Sequence, residues 1–195
     1  KIMANKDAPF GFRPVGEVGS GVNNGGTNRY AISDNFGADI WEQSHVMLAS
    51  GVLAVGTASG ATNLGVFNGC FYQDPTTQKP TWSNYYPAST NITQGAIDAY
   101  VYDDPKRLFE AQCDGTIALT DIGKNIDTTV TAGNSINGQS KSELTASSVN
   151  TTAALQWKIT GISKDPDNSD ASSANANWLV FFNEHLYFSS TGITG

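Results

Sequence analysis

A chain of 195 residues with a formal charge of −7, a pI near 4.6 and only eleven scattered basic residues lacks the Lys/Arg footprint that phosphate backbones require, which argues against nucleic acid and against an anionic membrane surface. Its hydrophobic fraction of 39%, with nine Phe, seven Tyr and four Trp, supplies a core and argues against intrinsic disorder. No apolar run approaches the roughly 20 residues that span a bilayer.

Residues 1–27 are expected to form an extended N-terminal arm. The stretch from Lys1 to Pro9 lacks the apolar centre of a secretory signal, and Met3-Ala4 reads as the natural start, so cytoplasmic synthesis is expected. Pro9, Pro14 and a run of glycines oppose both a helix and a central strand. Phe10 and Phe12 flank Gly11 between the two prolines, and the arm reads either as a frayed terminus or as a segment that docks through aromatic anchors on its own domain or a neighbour. The expected anchoring set is Pro9, Phe10, Phe12, Arg13, Pro14 and Val15.

Residues 28–195 are expected to form one β-rich domain. Arg29 to Ile32 and Ser44 to Ala49 are short strand candidates, and Val52 to Val55 follows across Ser50-Gly51, a hairpin turn. Leu64 to Gln73 is a longer apolar run closed by Asp74-Pro75. A polar loop over residues 74–95 follows, carrying Trp82, Tyr85 and Tyr86, and connections of that length are commonly functional. These three rings suit a protein interface, a cap over the core, or stacking on sugars.

Ala96 to Tyr102 alternates as a strand, Asp103-Asp104-Pro105 turns the chain, and Leu108 to Cys113 continues it to Asp114-Gly115. Leu119 to Gly123 reads as one helical turn capped by Thr120. Lys141 to Thr145, Ala154 to Ile162 and Trp178 to Phe182 are the last strands; Trp157 and Ile159 share one face, and Gln156, Lys158 and Thr160 the other. The predicted fold is all-β, an antiparallel barrel or sandwich with little helix.

No cluster of residues announces catalysis, a metal or a cofactor. Asp103-Asp104 is the most acid-base-like pair, yet neighbours on a strand point apart, and before Pro105 they read as turn residues that cap local N–H groups. Asp165 to Asp170 offers oxygen ligands but lacks the fixed Gly and distal Glu of a calcium loop, and reads as a solvated turn. His45 and Glu184-His185 match no metal-ligand spacing, so both histidines are expected to hydrogen-bond locally. Cys70 and Cys113 are too few for a disulfide scaffold and read as two buried thiols.

Blocks spread along the whole chain carry a resemblance. They include Met3 to Val15, Tyr86-Pro87-Ala88-Ser89-Thr90, Val101 to Pro105 with Phe109-Glu110-Ala111-Gln112, and Asp121-Ile122-Gly123. Further along come Gly138 to Leu144, Leu155 to Ile162, Asp165 to Asn168, Ala174 to Val180 and Phe182 to His185. In this collinear order the chain resembles small virion structural proteins encoded near the major capsid gene of tailed bacteriophages. It departs from their usual look in the Trp82 loop and in Ser169 to Asn177. The resemblance implies a non-enzymatic capsid decoration or cement protein on the outer head surface, with the major capsid protein and further copies of itself as partners. A trimer is the expected assembly, a dimer the alternative. On this expectation the arm anchors the protein to the shell, and Trp82, Tyr85 and Tyr86 form an interface loop. The rival reading is a virion-displayed carbohydrate-binding or host-adhesion module.

Overall fold

The structure is a computed structural model that describes residues 4–19, 25–60 and 62–188. Two antiparallel sheets account for the architecture. The first runs in spatial order β1 (Arg13–Glu17), β8 (Arg107–Gln112), β13 (Asn177–Phe182), β12 (Trp157–Ile162) and β9 (Asn125–Ile126). The second runs β2 (Asn28–Ile32), β7 (Ile97–Tyr102), β5 (Gly65–Gln73), β3 (His45–Ala49) and β4 (Val52–Val55), with β6 (Pro80–Ser83) paired to the C-terminal half of β5. A short pair, β10 (Thr128–Thr129) and β11 (Glu143–Leu144), stands apart. β2 and β4 approach each other although they are not neighbours in the hydrogen-bonded order, so the second sheet curls toward closure.

The strands follow their side-chain alternation. In β7, Ile97, Ala99 and Val101 are buried, Asp98 and Tyr100 face outward and Tyr102 packs against the core of the first sheet, while the inward set joins Val46, Leu53, Phe67, Cys70 and Tyr86 in the core of the second sheet. The first sheet has its own core of Phe12, Phe109, Trp157, Trp178, Val180 and Phe182. Between β3 and β4, Ser50 and Gly51 both take positive φ (50° and 79°), which a two-residue hairpin turn of matching twist requires. The turn after Ile117 is a single 3₁₀ turn, Leu119–Asp121; its cap is the Asp121 carboxylate, which accepts the Ala118 N–H, rather than Thr120.

The described part of the N-terminal segment docks on its own domain, one of the alternatives the sequence leaves open. Arg13 to Glu17 is the outermost strand of the first sheet, paired to β8 with a bulge between Pro14 and Gly16. Proline is tolerated there because an edge strand does not need every N–H, and a bulge with a proline also blunts the edge against further pairing. The residues before it are tied to the domain by a chain of amides. Asn5 Nδ2 donates to the carbonyls of Asp170 and Ala174 (2.9 Å each) and its Oδ1 accepts the Asp170 N–H. Lys6 and Asn168 exchange two hydrogen bonds, and Gln112 accepts the Ala8 N–H while donating to the Lys6 carbonyl. Gly11 takes positive φ where an added Cβ would lie 2.4 Å from the Gln43 carbonyl, and this close passage delivers Phe12 into the core. The segment is thus a strap built into the domain.

The 74–95 stretch is also not wholly a loop. Pro80–Ser83 adds β6 to the rim of the second sheet, where Pro80, at the strand start, gives up no needed donor.

Candidate functional site

The predicted arm residues separate into two groups. Phe12 is fully buried, stacked on Trp157 with ring centroids 4.1 Å apart and planes at 7°, and meets His45 edge-on at 5.8 Å. It is therefore a core residue and not available as an anchor for another protein, which corrects the expectation. Pro9, Phe10 and Pro14 are half-buried, Arg13 and Val15 exposed; the Arg13 guanidinium lies over the Phe10 ring at 4.8 Å and its Nε donates to Glu110 at 3.2 Å. Arg13 thereby ties the strap to β8, while Val15 stays exposed at the sheet edge.

The predicted interface loop separates too. Tyr86 is fully buried in the core of the second sheet, its hydroxyl directed at the Phe36 carbonyl, so it caps the core and is not an interface residue. Tyr85 stacks on Trp41 at 5.1 Å with planes at 11°. Trp82 alone remains strongly exposed, at 51%.

Around Trp82 the second sheet presents an aromatic face. Trp82 pairs across β6 and β5 with Phe71, itself 40% exposed, and Phe71 pairs with Asp98 on β7. Gly69 lies opposite Tyr100, and a Cβ there would sit 2.5 Å from Trp82 Cζ2, so the missing side chain lets the indole settle over the β5 backbone. Trp82 and Tyr100 rings meet at 5.2 Å and 52°. Arg29 on β2 pairs with Asp98 at 3.2 Å along the flank. Beside the rings, Phe71, Tyr72, Pro80 and Ala96 wall an open hollow of about 370 Å³. Phe71 and Tyr100 were not anticipated from the sequence; their signal was the outward position in an alternating run whose inward members are Cys70, Tyr72, Ala99 and Val101.

The polar candidates resolve into structural roles. Asp103 is buried and accepts both hydrogen bonds of the Asn28 amide (2.9 Å each) and the Tyr30 hydroxyl, so it anchors β2 rather than capping the turn. Asp104 does cap, accepting the Lys106 N–H at 2.8 Å. In the 165–170 segment, Asp165 accepts from the Asp167 N–H and from Asn177, and Asp170 accepts from Ser172, so these two carboxylates hold the segment's own turns and fasten it to β13. His45 Nε2 donates to the Thr57 carbonyl at 3.0 Å, a partner that can only accept, and His185 Nδ1 accepts the Tyr187 N–H at 3.2 Å. Among the described residues no three His, Cys, Asp or Glu side chains converge as a metal site, and no helix is long and apolar enough to cross a membrane.

Cys70 and Cys113 are free, fully buried and lie in different cores. Burial pushes both thiols up to about 12, so almost no thiolate exists near neutral pH. Ellman's reagent is expected to detect no thiol in the native protein over minutes at pH 8 and two after unfolding in guanidinium; a fast-reacting native thiol would contradict this packing.

Comparison with known proteins returns no matching protein-family model, no similar curated protein and no similar solved structure.

Proposed function

We propose that this chain is a non-enzymatic capsid decoration protein of a tailed bacteriophage, fastened to the outer head surface through the aromatic face of its second sheet. The carrying observation is that face: Trp82, Phe71 and Tyr100 stand on paired strands, ordered before binding, with Trp82 seated over Gly69. Ordered aromatic side chains lose little freedom on docking, which is why Trp and Tyr concentrate the energy of protein interfaces. The collinear resemblance described above supplies the head surface as the partner. Many equivalent sites on a shell allow each contact to be modest.

Co-sedimentation with heads of the encoding phage that lack this protein tests the reading. Trp82→Ala is expected to weaken binding by roughly 10- to 100-fold, while Phe10→Ala leaves it unchanged. Undiminished binding of Trp82→Ala would overturn the assignment of the face.

One observation favours a second reading, a carbohydrate-binding module: the exposed indole has a charged Arg29–Asp98 pair nearby that offers hydrogen bonds to ring hydroxyls. A glycan array separates the two, since only this reading predicts glycan signals that Trp82→Ala abolishes.

A further inference from the structure

Where the two sheets meet, His45, Asn63, Gln156 and His185 are each no more than 1% exposed and carry polar atoms that no group among the described residues satisfies. His45 Nε2 and Gln156 Nε2 both point at the Thr57 carbonyl, at 3.0 and 2.8 Å. A carbonyl can only accept, so both nitrogens are donors, which fixes the imidazole tautomer and the way round of the amide. His45 Nδ1 and Gln156 Oε1 are thereby left as acceptors without a donor. Asn63 bridges to His185, and neither its Nδ2 nor its Oδ1 has a partner, so turning that amide over changes nothing. His185 Nδ1 accepts the Tyr187 N–H, which leaves Nε2 as the protonated nitrogen of the neutral ring; it faces the Leu64 carbonyl without closing a hydrogen bond.

These groups form one contiguous seam. The Gln156 carbonyl accepts the Asn183 and Glu184 N–H groups just before His185, the Leu186 N–H reaches the Asn63 carbonyl, and the Leu64 N–H meets the Val46 carbonyl beside His45. The two imidazoles flank the Phe12–Trp157–Phe182 stack, His45 at 5.8 Å from Phe12 and His185 at 4.9 Å from Phe182. A buried donor or acceptor left bare forfeits its hydration and gains nothing in return, and native chains leave few of them so.

We propose that this seam is a binding site for internal water, with one molecule serving the His45 and Gln156 acceptors and another the Asn63 amide. The unmatched set selects the ligand. It mixes acceptors (His45 Nδ1, Gln156 Oε1, Asn63 Oδ1) with donors (Asn63 Nδ2, His185 Nε2), and none of them is a carboxylate, ammonium or guanidinium. A metal ion would meet the Asn63 and His185 N–H groups, an anion would meet three acceptors, and an apolar group would satisfy none. Water donates twice and accepts twice within one small volume, and buried waters typically make about three such bonds. At the usual density of about one buried water per 27 residues, a chain of 195 holds about seven. Water held here would join β3 and the segment entering β5 to the ends of β12 and β13, so that part of the contact between the sheets is made through it.

A crystal structure of the full chain at about 1.5 Å resolution tests the proposal. Ordered water is expected at roughly 2.7–3.2 Å from the Asn63 amide, and again from His45 Nδ1 or Gln156 Oε1. Missing density at either place, a metal ion or an anion in the seam, or side chains rearranged to satisfy one another directly would overturn it. In solution, deuterium and oxygen-17 relaxation dispersion counts long-lived internal waters. Asn63→Leu, similar in volume and without polar side-chain atoms, is expected to lose at least one of them while its circular dichroism stays native. An unchanged count in the folded variant contradicts the proposal; should that variant not fold, the wild-type crystal structure decides alone. Binding to heads enters none of these measurements, so the site stands or falls separately from the decoration reading.

Discussion

Phe12→Ala is expected to lower the unfolding free energy by about 3–5 kcal/mol, the cost of emptying a fully buried phenyl site. The ring lies between Trp157 and His45 and is the point where the N-terminal strap enters the core of the first sheet. Single domains are commonly stable by only about 5–15 kcal/mol, so this one truncation removes a large share. Phe10→Ala, half-buried and stacked only beneath Arg13, serves as the control and is expected to cost less than about 1 kcal/mol. Urea unfolding followed by tryptophan fluorescence measures both. A Phe12→Ala cost below about 1 kcal/mol would mean that the segment is a detachable arm after all, and would return the anchoring role to it.

Acid is expected to weaken the fold through His45. Complete burial lowers its pKa from 6.5 to about 4, and the hydrogen bond to the Thr57 carbonyl opposes that only in part. Above pH 6.5 the imidazole is neutral in both the folded and unfolded chain and contributes no pH dependence. As the pH falls from 6.5 to 4 the unfolded chain takes up a proton that the folded one refuses, so stability falls by about 3 kcal/mol and then levels off. His185, also lowered by burial, acts in the same direction. Glu143, raised to about 7 by burial and by the nearby Asp7 and Asp114, acts in the opposite one, as does Asp127. The His45 contribution is isolated by comparison with His45→Gln, which cannot titrate. The wild type should lose about 3 kcal/mol relative to this variant between pH 7 and pH 4 in urea titrations, and a constant difference would contradict the burial of a neutral imidazole.

The fold was legible where a strand carries its own alternation. Ile97 to Tyr102 and Trp157 to Ile162 declare which face is buried, and Ser50-Gly51 declares the turn between β3 and β4. It was not legible where the partner supplies the order. Arg13 to Glu17 contains a proline and a glycine and becomes a strand because β8 offers it an edge, with a bulge absorbing the misfit. Pro80 to Ser83 pairs only along the end of β5, and Asn125–Ile126 is two residues long, so neither shows a period. The site was half legible. Trp82 stood out as an aromatic in a polar stretch, but Tyr85 and Tyr86 looked the same in sequence and only tertiary packing separates them. Phe71 and Tyr100 read as strand residues, because membership of an exposed face depends on which strands become neighbours.

Cryo-electron microscopy of heads incubated with this protein tests the central claim most directly. The account predicts ordered density on the outer shell, with the Trp82 face buried against capsomers and neighbouring copies and the strap of residues 4–17 folded onto its own domain. Bare shells at saturating protein, or density confined to tail or fibres, would contradict it.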